Sequence, residues 1–333
     1  VFKKGIVQQL GNYRTLSLLS HIGKGLDKAT SVRLMKHFEY NGFFPDTQNG
    51  FRSKRSTVDS IFISQMVTAA CIEKNLNCYK AFLDFVKAYD RVNQPLLWLV
   101  MKRRGVPPKL LGMIKGYHDG SMAQVKLGGL SAPFELTCGL KQGAMNACFL
   151  FNGYTGAMME AIAKRVMQLE LGIKFRHIVK VDIFKIMKID KKDIRSMLLY
   201  IWNAMFADDI AVFESDVIKL QKILDIFVEV SSMYGMLISI AKSEVLAVIG
   251  LACTPKIEVK ITVNGELLKN VTSFRYLGQI DTSYDNRLYG PVIEKVGELS
   301  TRSKAAYGNY FRLQEAVFEN RDLRDKIKLL VYK

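Results

Sequence analysis

Helical periodicity marks four segments of the chain. Apolar residues recur at intervals of three and four, which is typical of amphipathic helices. The segments that show this spacing are Ser31–Tyr40, Thr57–Cys71, Asn93–Gly105 and Asp216–Gly235. Asn93 and Asp216 have the side chains expected at an N-cap, and a glycine ends each of those two helices.

Short apolar segments beside acidic residues predict strands. The segment that opens at Tyr79 begins as an apolar strand, with Asp84 near its end. "NAMFADDIAVF" predicts a strand, a tight acidic turn and a second strand, with Asp208 and Asp209 at the tip. The Asn264-Gly265 pair predicts a hairpin. Two further short strands are predicted in "AQVKLGG" and "PFELTC".

A glycine-punctuated loop near Gln142 precedes a long apolar segment that predicts another helix. The run from Gln142 to Met159 lacks charge, which raises the question of a membrane span. It contains two asparagines and several glycines besides its glutamine, so we do not expect it to enter a membrane.

Charge points to a polyanionic partner. The chain has 333 residues, with 48 lysines and arginines against 31 acidic residues, a net charge of +17 and a pI of about 9.6. Nucleic acid is the partner that this balance favours first, and an anionic membrane second. The basic clusters are scattered along the chain, which suits a groove better than a tail, although each cluster alone could be an ordinary solvated face.

Cysteine usage and the first residues bear on location. The five cysteines form no C-x-x-C pair and leave one over, which fits a reducing compartment. The chain starts without methionine or a signal-like apolar segment, so we expect a fragment of a longer intracellular protein, nuclear or cytoplasmic.

The adjacent carboxylates of Asp208 and Asp209 repel each other, and flanking apolar strands add desolvation. Divalent cations would offset that cost, since carboxylate oxygens are their preferred ligands and a two-metal site performs in-line phosphoryl transfer. Asp84 is the natural third ligand. Taken alone, an acidic pair is more often a solvated turn.

Several segments, in order, resemble the reverse transcriptases of non-LTR (LINE-type) retrotransposons. The resemblance covers Asn12 to Gly278 and rests on seven segments: "NYRTLSLLS", "QNGFRSKRSTVDSI", "AFLDFVKAYDRV", "GLKQGAMNACFLFN", "FADD", "YGMLISIAKSEV" and "SFRYLGQI".

The resemblance implies an α+β fold of the right-hand polymerase type. Fingers and palm would combine an antiparallel sheet with helices, and a partial helical thumb would follow. The first part of the fingers would occupy residues 1–78. Residues 79–250 would form the palm with inserted fingers elements, and residues 251–333 a primer-grip hairpin and the partial thumb.

The same resemblance implies a role for individual residues in RNA-directed DNA synthesis. Asp84 and Asp208 would hold two Mg²⁺ ions, with Mn²⁺ as an alternative, and Asp209 would be the weaker partner. Lys242 would protonate the departing pyrophosphate. The implied substrate-binding residues are Arg52, Phe85 (through its backbone, which also lies at the metal site), Tyr89 and Gln142, and the implied primer or template contacts are Lys54, Arg55, Phe274, Tyr276, Leu277 and Gly278.

Other interpretations stay open for these residues. Tyr89, expected beneath the deoxyribose, could be a core aromatic, Arg52 and Lys242 could be surface cations, and Gln142 could lie in a plain turn. The implied partners are an RNA template, a DNA primer and dNTPs, without a membrane; a complete element would add an endonuclease domain, which this sequence does not contain.

Departures from the family pattern support a rival hypothesis. Cys148 replaces a proline, Ala144 a cysteine and Ser239 an asparagine. Such changes would fit a catalytically inactive, nucleic-acid-binding remnant of an element. An RNA-templated RNA polymerase is disfavoured by Tyr89 and by "FADD" in place of a GDD turn.

Overall fold

The computed structural model describes Tyr13 and residues 17–126, 129–177, 197–249 and 259–283. The helices in these ranges are α1 (His21–Tyr40), α2 (Thr57–Glu73), α3 (Gln94–Arg103), α4 (Pro108–His118), α5 (Met145–Gln168) and α6 (Val217–Met233). The first seven strands are β1 (Cys78–Leu83), β2 (Met122–Ala123), β3 (Phe134–Glu135), β4 (Ile173–His177), β5 (Met197–Ile201), β6 (Asn203–Phe206) and β7 (Asp209–Glu214). The others are β8 (Glu244–Val248), β9 (Thr262–Val263), β10 (Glu266–Leu267), β11 (Lys269–Val271), β12 (Ser273–Tyr276) and β13 (Gln279–Thr282).

The two predicted N-cap residues form capping hydrogen bonds. Asn93 accepts a hydrogen bond from the backbone of Leu96 at the start of α3, and Asp216 accepts one from Lys219 at the start of α6. α1 begins ten residues before the predicted Ser31, at a Ser20 cap. Two glycines in the first turns of α1 conceal its start, since glycine is a poor helix former.

Apolar spacing does not predict α4, which starts with Pro108 in its first turn. Gly112 and Gly116 interrupt its apolar positions, and both glycines lower helix propensity. The part of the predicted helical thumb beyond residue 283 lies outside the described residues.

Central to the described residues is a five-stranded sheet in the order β11-β8-β1-β7-β6. β1 lies in the middle and pairs antiparallel with both β7 and β8, while β11 pairs parallel with β8. All six residues of β1 are buried. An apolar strand with no exposed face fits this position, because both sides of the sheet are covered.

Alternate residues of β1 enter different cores. Tyr79, Ala81 and Leu83 belong to a core that includes residues of α5 and α6. Cys78 and Phe82 belong to a second core that includes residues of α2 and the β12–β13 hairpin. The two-residue repeat of a strand therefore divides the protein into two layers on this sheet.

Helix α5 begins at a buried carboxylate supplied by α1. Asp27 accepts hydrogen bonds from the backbone of Met145 (2.5 Å) and Asn146 (3.0 Å), the first residues of α5. A negative charge at a helix N-terminus is favourable, because free backbone N–H groups point toward it. Within the described ranges, no helix has the length and apolar character needed to cross a bilayer.

Two tight hairpins follow β8. The predicted turn at Asn264-Gly265 joins β9 to β10, and both residues have positive φ (53° and 80°). Leu277 and Gly278 join β12 to β13 with φ of 50° and 94°. Paired left-handed residues are the backbone conformation that two-residue hairpins prefer.

A buried ion pair fastens the β12–β13 hairpin to the sheet. Lys80 Nζ of β1 lies 2.8 Å from Asp281 Oδ2 of β13, and their side chains are 3% and 9% exposed. The Ser64 hydroxyl of α2 donates to the same carboxylate oxygen at 2.9 Å and lies 2.9 Å from the ammonium. Three elements thus share one hydrogen-bonded charge pair.

We predict that Lys80→Met lowers the free energy of unfolding by about 3–5 kcal/mol, because it leaves the Asp281 carboxylate buried without its cation. Chemical denaturation monitored by circular dichroism measures the change. Lys269→Met is the matched control, since it removes an exposed ion pair to Glu244 in the same sheet and should cost less than about 1 kcal/mol. Equal effects of the two substitutions would contradict the assignment.

Candidate active site

Strand register brings the three predicted carboxylates to one end of the sheet. β1 pairs with β7 so that Leu83 lies opposite Ile210, and the next step along both strands places Asp84 opposite Asp209. β6 pairs with β7 as far as Phe206 opposite Asp209. Asp208 lies in the turn between them, here called the acidic turn (Phe206–Asp209). Residues more than 120 positions apart in sequence therefore become neighbours.

A raised pKa of Asp209 indicates that negative charge is concentrated at this end of the sheet. Partial burial, followed by the charges of Asp208 and Asp84, raises the pKa of Asp209 from 3.8 to about 6, although the side chain reaches solvent. Lys242 opposes this rise. Neighbouring carboxylates that resist ionisation together are stabilised by a cation.

Lys242 supplies one positive charge at the site. Its Nζ lies 3.0 Å from Asp84 Oδ2, and the lysine side chain is 54% exposed. Lys242 follows a loop held to the end of β1, because the Ser239 N–H donates to the Asp84 carbonyl at 2.8 Å. This contact uses only the backbone of Ser239, so it does not depend on the asparagine usual in the family.

Carboxylate oxygens are suitable ligands for Mg²⁺ or Mn²⁺. Within the described ranges, no three His, Cys, Asp or Glu side chains are grouped closely enough to hold a metal ion as they stand. The available ligands are Asp84, Asp208 and Asp209, and the donor type fits a hard cation. Phe85 has only its backbone available, since the residue is 2% exposed and its ring lies near the Phe227 ring.

A second group of predicted residues lies on the short 3₁₀ helix after β1 and on the loop before α5. The half-buried Tyr89 ring stacks on Phe151, with centroids 4.5 Å apart and planes at 14°. The Gln142 Nε2 group donates to Asp90 Oδ1 at 2.9 Å. Gly139 has φ of +79°, and a Cβ there would lie 2.8 Å from the Asp90 carbonyl oxygen. These contacts fix the loop beside Tyr89.

Cys148, the residue in place of the family proline, lies in the first turns of α5. Burial raises the pKa of its thiol, and a hydrogen bond with the Tyr89 side chain lowers it. The residue that departs from the family pattern is therefore in contact with Tyr89.

Arg52 is held by protein groups. Its guanidinium pairs with both carboxylate oxygens of Glu39 at 3.3 and 3.0 Å and donates to the carbonyls of Pro45 and Gln48. It also lies over the Phe44 ring. A triphosphate contact by Arg52 would have to replace part of this arrangement, and that role stays a prediction.

The other two basic residues of this loop differ in exposure. Lys54 is exposed with φ of +60°. Arg55 donates to the Asp46 carbonyl at 3.1 Å and to Asn49 Oδ1 at 3.0 Å. Lys54 is thus the more accessible of the two for a phosphate.

The predicted primer-grip residues form the β12–β13 hairpin. Phe274 stacks on Phe82 of β1 with centroids 4.0 Å apart. Tyr276 is 4% exposed, and burial raises the pKa of its hydroxyl. Leu277 and Gly278 make the turn. Strand alternation, continued one residue past the end of β1, places Phe82 and Asp84 on the same face. The hairpin therefore covers β1 on this face, two residues before the Asp84 carboxylate.

The predicted residues therefore fall into four places: the carboxylates with Lys242, the Tyr89 and Gln142 loop, the Arg52 loop, and the β12–β13 hairpin. The sequence predicts no role for Gln48 and Gly50, although both lie in a family-like segment. Gln48 and Gly50 contact the acidic turn directly. Only the motif "QNGFR" signals them, because spacing cannot show that this loop reaches Ala207.

Removal of one carboxylate should stabilise the metal-free protein. The folded-state pKa of Asp209, about 6, exceeds 3.8, so the folded protein loses stability as pH rises through this interval. We predict that at pH values above 6 Asp209→Asn raises the melting temperature, which corresponds to a gain in the free energy of unfolding on the order of 1 kcal/mol after solvent screening. Below about pH 4 the substitution should have no effect.

Calorimetry across pH, without divalent ions, measures this difference. Asp225→Asn, at an exposed aspartate of α6, is the matched control and should change little. A melting temperature for Asp209→Asn that stays at or below that of the unsubstituted protein at pH 7.5 would contradict the prediction.

Comparison with known proteins identifies related sequences and a related fold. A family model described as "Reverse transcriptase (RNA-dependent DNA polymerase)" matches residues 1–280. The "RNA-directed DNA polymerase from mobile element jockey" of Drosophila funebris is 26% identical over 277 residues, 81% of this chain and 26% of that protein. The "Probable RNA-directed DNA polymerase from transposon X-element" of Drosophila melanogaster is 30% identical over 150 residues, 44% of this chain and 16% of that protein. The chain thus spans about a quarter or less of the length of these curated relatives.

One solved structure gives the fold. Telomerase from Candida albicans, in complex with a fragment of telomeric RNA, aligns with 79% of this chain and 38% of its own at a TM-score of 0.50 and 11% identity. The α+β polymerase fold predicted from the sequence is thereby confirmed, as is the resemblance to reverse transcriptases of non-LTR retrotransposons. Because the family model matches residues 1–280, the chain belongs to the reverse transcriptase family, and the pairing of β1, β6 and β7 brings its three carboxylates to one end of the sheet.

Proposed function

We propose that this chain is an RNA-directed DNA polymerase domain of a non-LTR retrotransposon. The observation that carries the proposal is that strand pairing brings Asp84, Asp208 and Asp209 to one end of the sheet from two separate segments of the chain. A raised Asp209 pKa supports a site built for cations, since apolar or neutral ligands would not relieve the repulsion.

In this proposal Asp84, Asp208 and Asp209, with the Phe85 backbone, hold two Mg²⁺ ions. When bound, the metal supplies charge stabilisation for the attacking primer 3′-hydroxyl and the departing pyrophosphate. Lys242 is the proton donor to that leaving group. It is close enough to Asp84 to share the site and exposed enough to turn toward a pyrophosphate.

Tyr89 and Gln142 are proposed to contact the incoming nucleotide. The Tyr89 ring is held flat by Phe151, so it presents a rigid surface where a ribose 2′-hydroxyl would lie. Gln142 is tied to Asp90 in the neighbouring turn. Arg52 completes the nucleotide contacts only if its Glu39 pair opens, which binding of a triphosphate could drive because phosphate accepts the same planar donors.

The primer and template contacts are proposed on position and charge. Leu277 and Gly278 lie at the tip of the β12–β13 hairpin, while Phe274 and Tyr276 anchor it to the sheet. Lys54 and Arg55 lie on the loop before α2, and the net charge of +17 favours a polyanion. We assign residues 1–78 to fingers, 79–250 to palm with inserted fingers elements, and 251–333 to primer grip and partial thumb.

A nucleic-acid-binding remnant without turnover is the second candidate. The contact between Cys148 and Tyr89 favours it, because the altered residue lies against the proposed gate. We also propose that the complete element carries an endonuclease domain.

We predict that Asp208→Ala lowers primer extension on an RNA template with dNTPs and Mg²⁺ by about a thousandfold or more, because a ligand of the reacting centre is lost. RNA affinity should stay within about twofold, since the scattered lysines and arginines, here called the basic surface, supply it. Asp119→Ala, at an exposed aspartate that ends α4, is the control for general effects of aspartate removal. Parallel loss of binding and extension would contradict separate roles for the acidic turn and the basic surface.

Tyr89→Ala should admit ribonucleotides. Removing the ring opens space beside the sugar, and we expect the preference for dNTPs over rNTPs to fall by about tenfold to a hundredfold in competition assays. Tyr89→Phe keeps the ring and its stacking on Phe151, so it should keep the preference. A preference unchanged in Tyr89→Ala would remove Tyr89 from the gate.

A further inference from the structure

The segment Thr47–Gly50 pairs with the edge strand β6 through a single β-bridge beside the acidic turn. The Met205 N–H of β6 donates to the Thr47 carbonyl at 2.8 Å, and the Asn49 N–H donates to the Met205 carbonyl at 2.9 Å. Gln48 forms a parallel bridge with Met205. The segment between α1 and α2 therefore runs along the last residues before the turn that carries Asp208.

Gln48 directs its side chain into that turn and binds the backbone of one residue twice. Its Oε1 accepts from the Ala207 N–H at 2.9 Å, and its Nε2 donates to the Ala207 carbonyl at 3.2 Å. Oε1 also accepts from the Gly50 N–H at 2.8 Å. The Gln48 residue is 1% exposed. A buried amide with this set of partners holds the turn in one position.

Ala207 requires such support because its backbone is left-handed. Its φ is +58°, a conformation that residues with a Cβ rarely adopt. Asp208 is the next residue, so any relaxation at Ala207 moves the carboxylate. A side chain that fixes both the N–H and the carbonyl of Ala207 therefore also fixes the direction of Asp208.

Gly50 lets the two segments approach this closely. A Cβ on Gly50 would lie 2.4 Å from the Ala207 nitrogen, closer than nonbonded atoms can approach. The Gly50 carbonyl accepts from the Asn152 side chain of α5 at 2.7 Å, which holds the segment from its other side.

The same segment is connected to α1. The Arg52 guanidinium donates to the Gln48 carbonyl at 3.3 Å and pairs with Glu39 of α1 at 3.0 Å. Hydrogen bonds thus run from α1 through Arg52 and Gln48 to the residue that precedes Asp208.

We propose that Gln48 is a positioning residue for the metal site, which holds Asp208 in place by clamping Ala207. The inference rests on the proposed function, because it assigns a purpose to the site that the carboxylates form. Gln48 does not contact the reacting atoms. It acts through the acidic turn, as hydrogen-bonded neighbours of metal ligands do.

The test is Mn²⁺ binding by the full chain, measured from the electron paramagnetic resonance signal of free Mn²⁺. Gln48→Met keeps most of the side-chain volume and removes all three hydrogen bonds. Outer-sphere partners of metal ligands typically contribute 10–100-fold in metal affinity, so we expect Mn²⁺ to bind at least about tenfold more weakly. In primer extension, the Mg²⁺ concentration for half-maximal rate should rise similarly while KM for dNTP changes little.

Gln221→Met is the matched control. Gln221 of α6 accepts from the Thr262 N–H at 2.8 Å and donates to the Thr262 carbonyl at 2.9 Å, so it clamps one backbone residue in the same manner away from the acidic turn. Its substitution should leave Mn²⁺ affinity within about twofold. Equal effects of the two substitutions, or no effect of Gln48→Met, would overturn the inference.

A second measurement covers the case in which Gln48→Met does not fold. Amide hydrogen exchange of the unsubstituted chain should show Ala207 protected as strongly as the paired residues of β7, since its N–H is bonded to a buried side chain. Exchange of Ala207 as fast as an exposed loop amide would overturn the inference. Failure of the unsubstituted chain to bind Mn²⁺ would instead overturn the proposed function and the inference with it.

Discussion

The antiparallel pairing of β1 with β7 is the constraint on which the candidate site depends. It aligns Leu83 with Ile210, and so brings Asp84 beside the first residue of β7. A shift of one residue would place one of these carboxylates on the opposite face of the sheet, because successive side chains alternate. The register is fixed by burial, since all of β1 lies inside the protein and both of its faces pack against cores.

Repulsion among these carboxylates works against the fold that assembles them. Burial and neighbouring charge raise the pKa of Asp209 to about 6, so the folded protein holds these groups at an electrostatic cost. The surrounding structure supplies the restraint. The Gln48 clamp holds Ala207, and the buried Lys80 and Asp281 pair holds the β12–β13 hairpin against the same strand. Strain and charge at a site that the packing over-determines are typical of functional positions.

Sequence reasoning recovered the parts of this arrangement that have local signals. Apolar alternation around Asp208 and Asp209 predicts the β6–β7 hairpin, and Asn264-Gly265 predicts the next one, because turn chemistry acts over a few residues. Asp84 follows from its place at the end of an apolar strand. The ordered motifs gave the family, which the comparisons confirm.

Contacts between distant segments were not accessible in the same way. Nothing local to Gln48 shows that its amide reaches a turn 159 residues away, or that Arg52 pairs with Glu39. The buried position of Lys80 is equally hidden, since a lysine within an apolar strand is expected to be exposed. These features depend on tertiary packing, and α4 shows the same limit, because its glycines weaken the local helical signal while packing stabilises it.

The proposed cation site is surrounded by segments that lie far apart in sequence. Fe²⁺ in place of Mg²⁺ would cut the backbone nearby when hydrogen peroxide and ascorbate are added, because bound Fe²⁺ reduces peroxide to a hydroxyl radical and hydroxide, and ascorbate reduces the Fe³⁺ formed. Mass spectrometry would locate the cuts. We expect cleavage at three places, around Asp84, at Asp208–Asp209 and at Gln48–Gly50, and we expect excess Mg²⁺ to suppress it. Cleavage at only one of these segments, or cuts elsewhere that Mg²⁺ does not suppress, would contradict the proposed cation site.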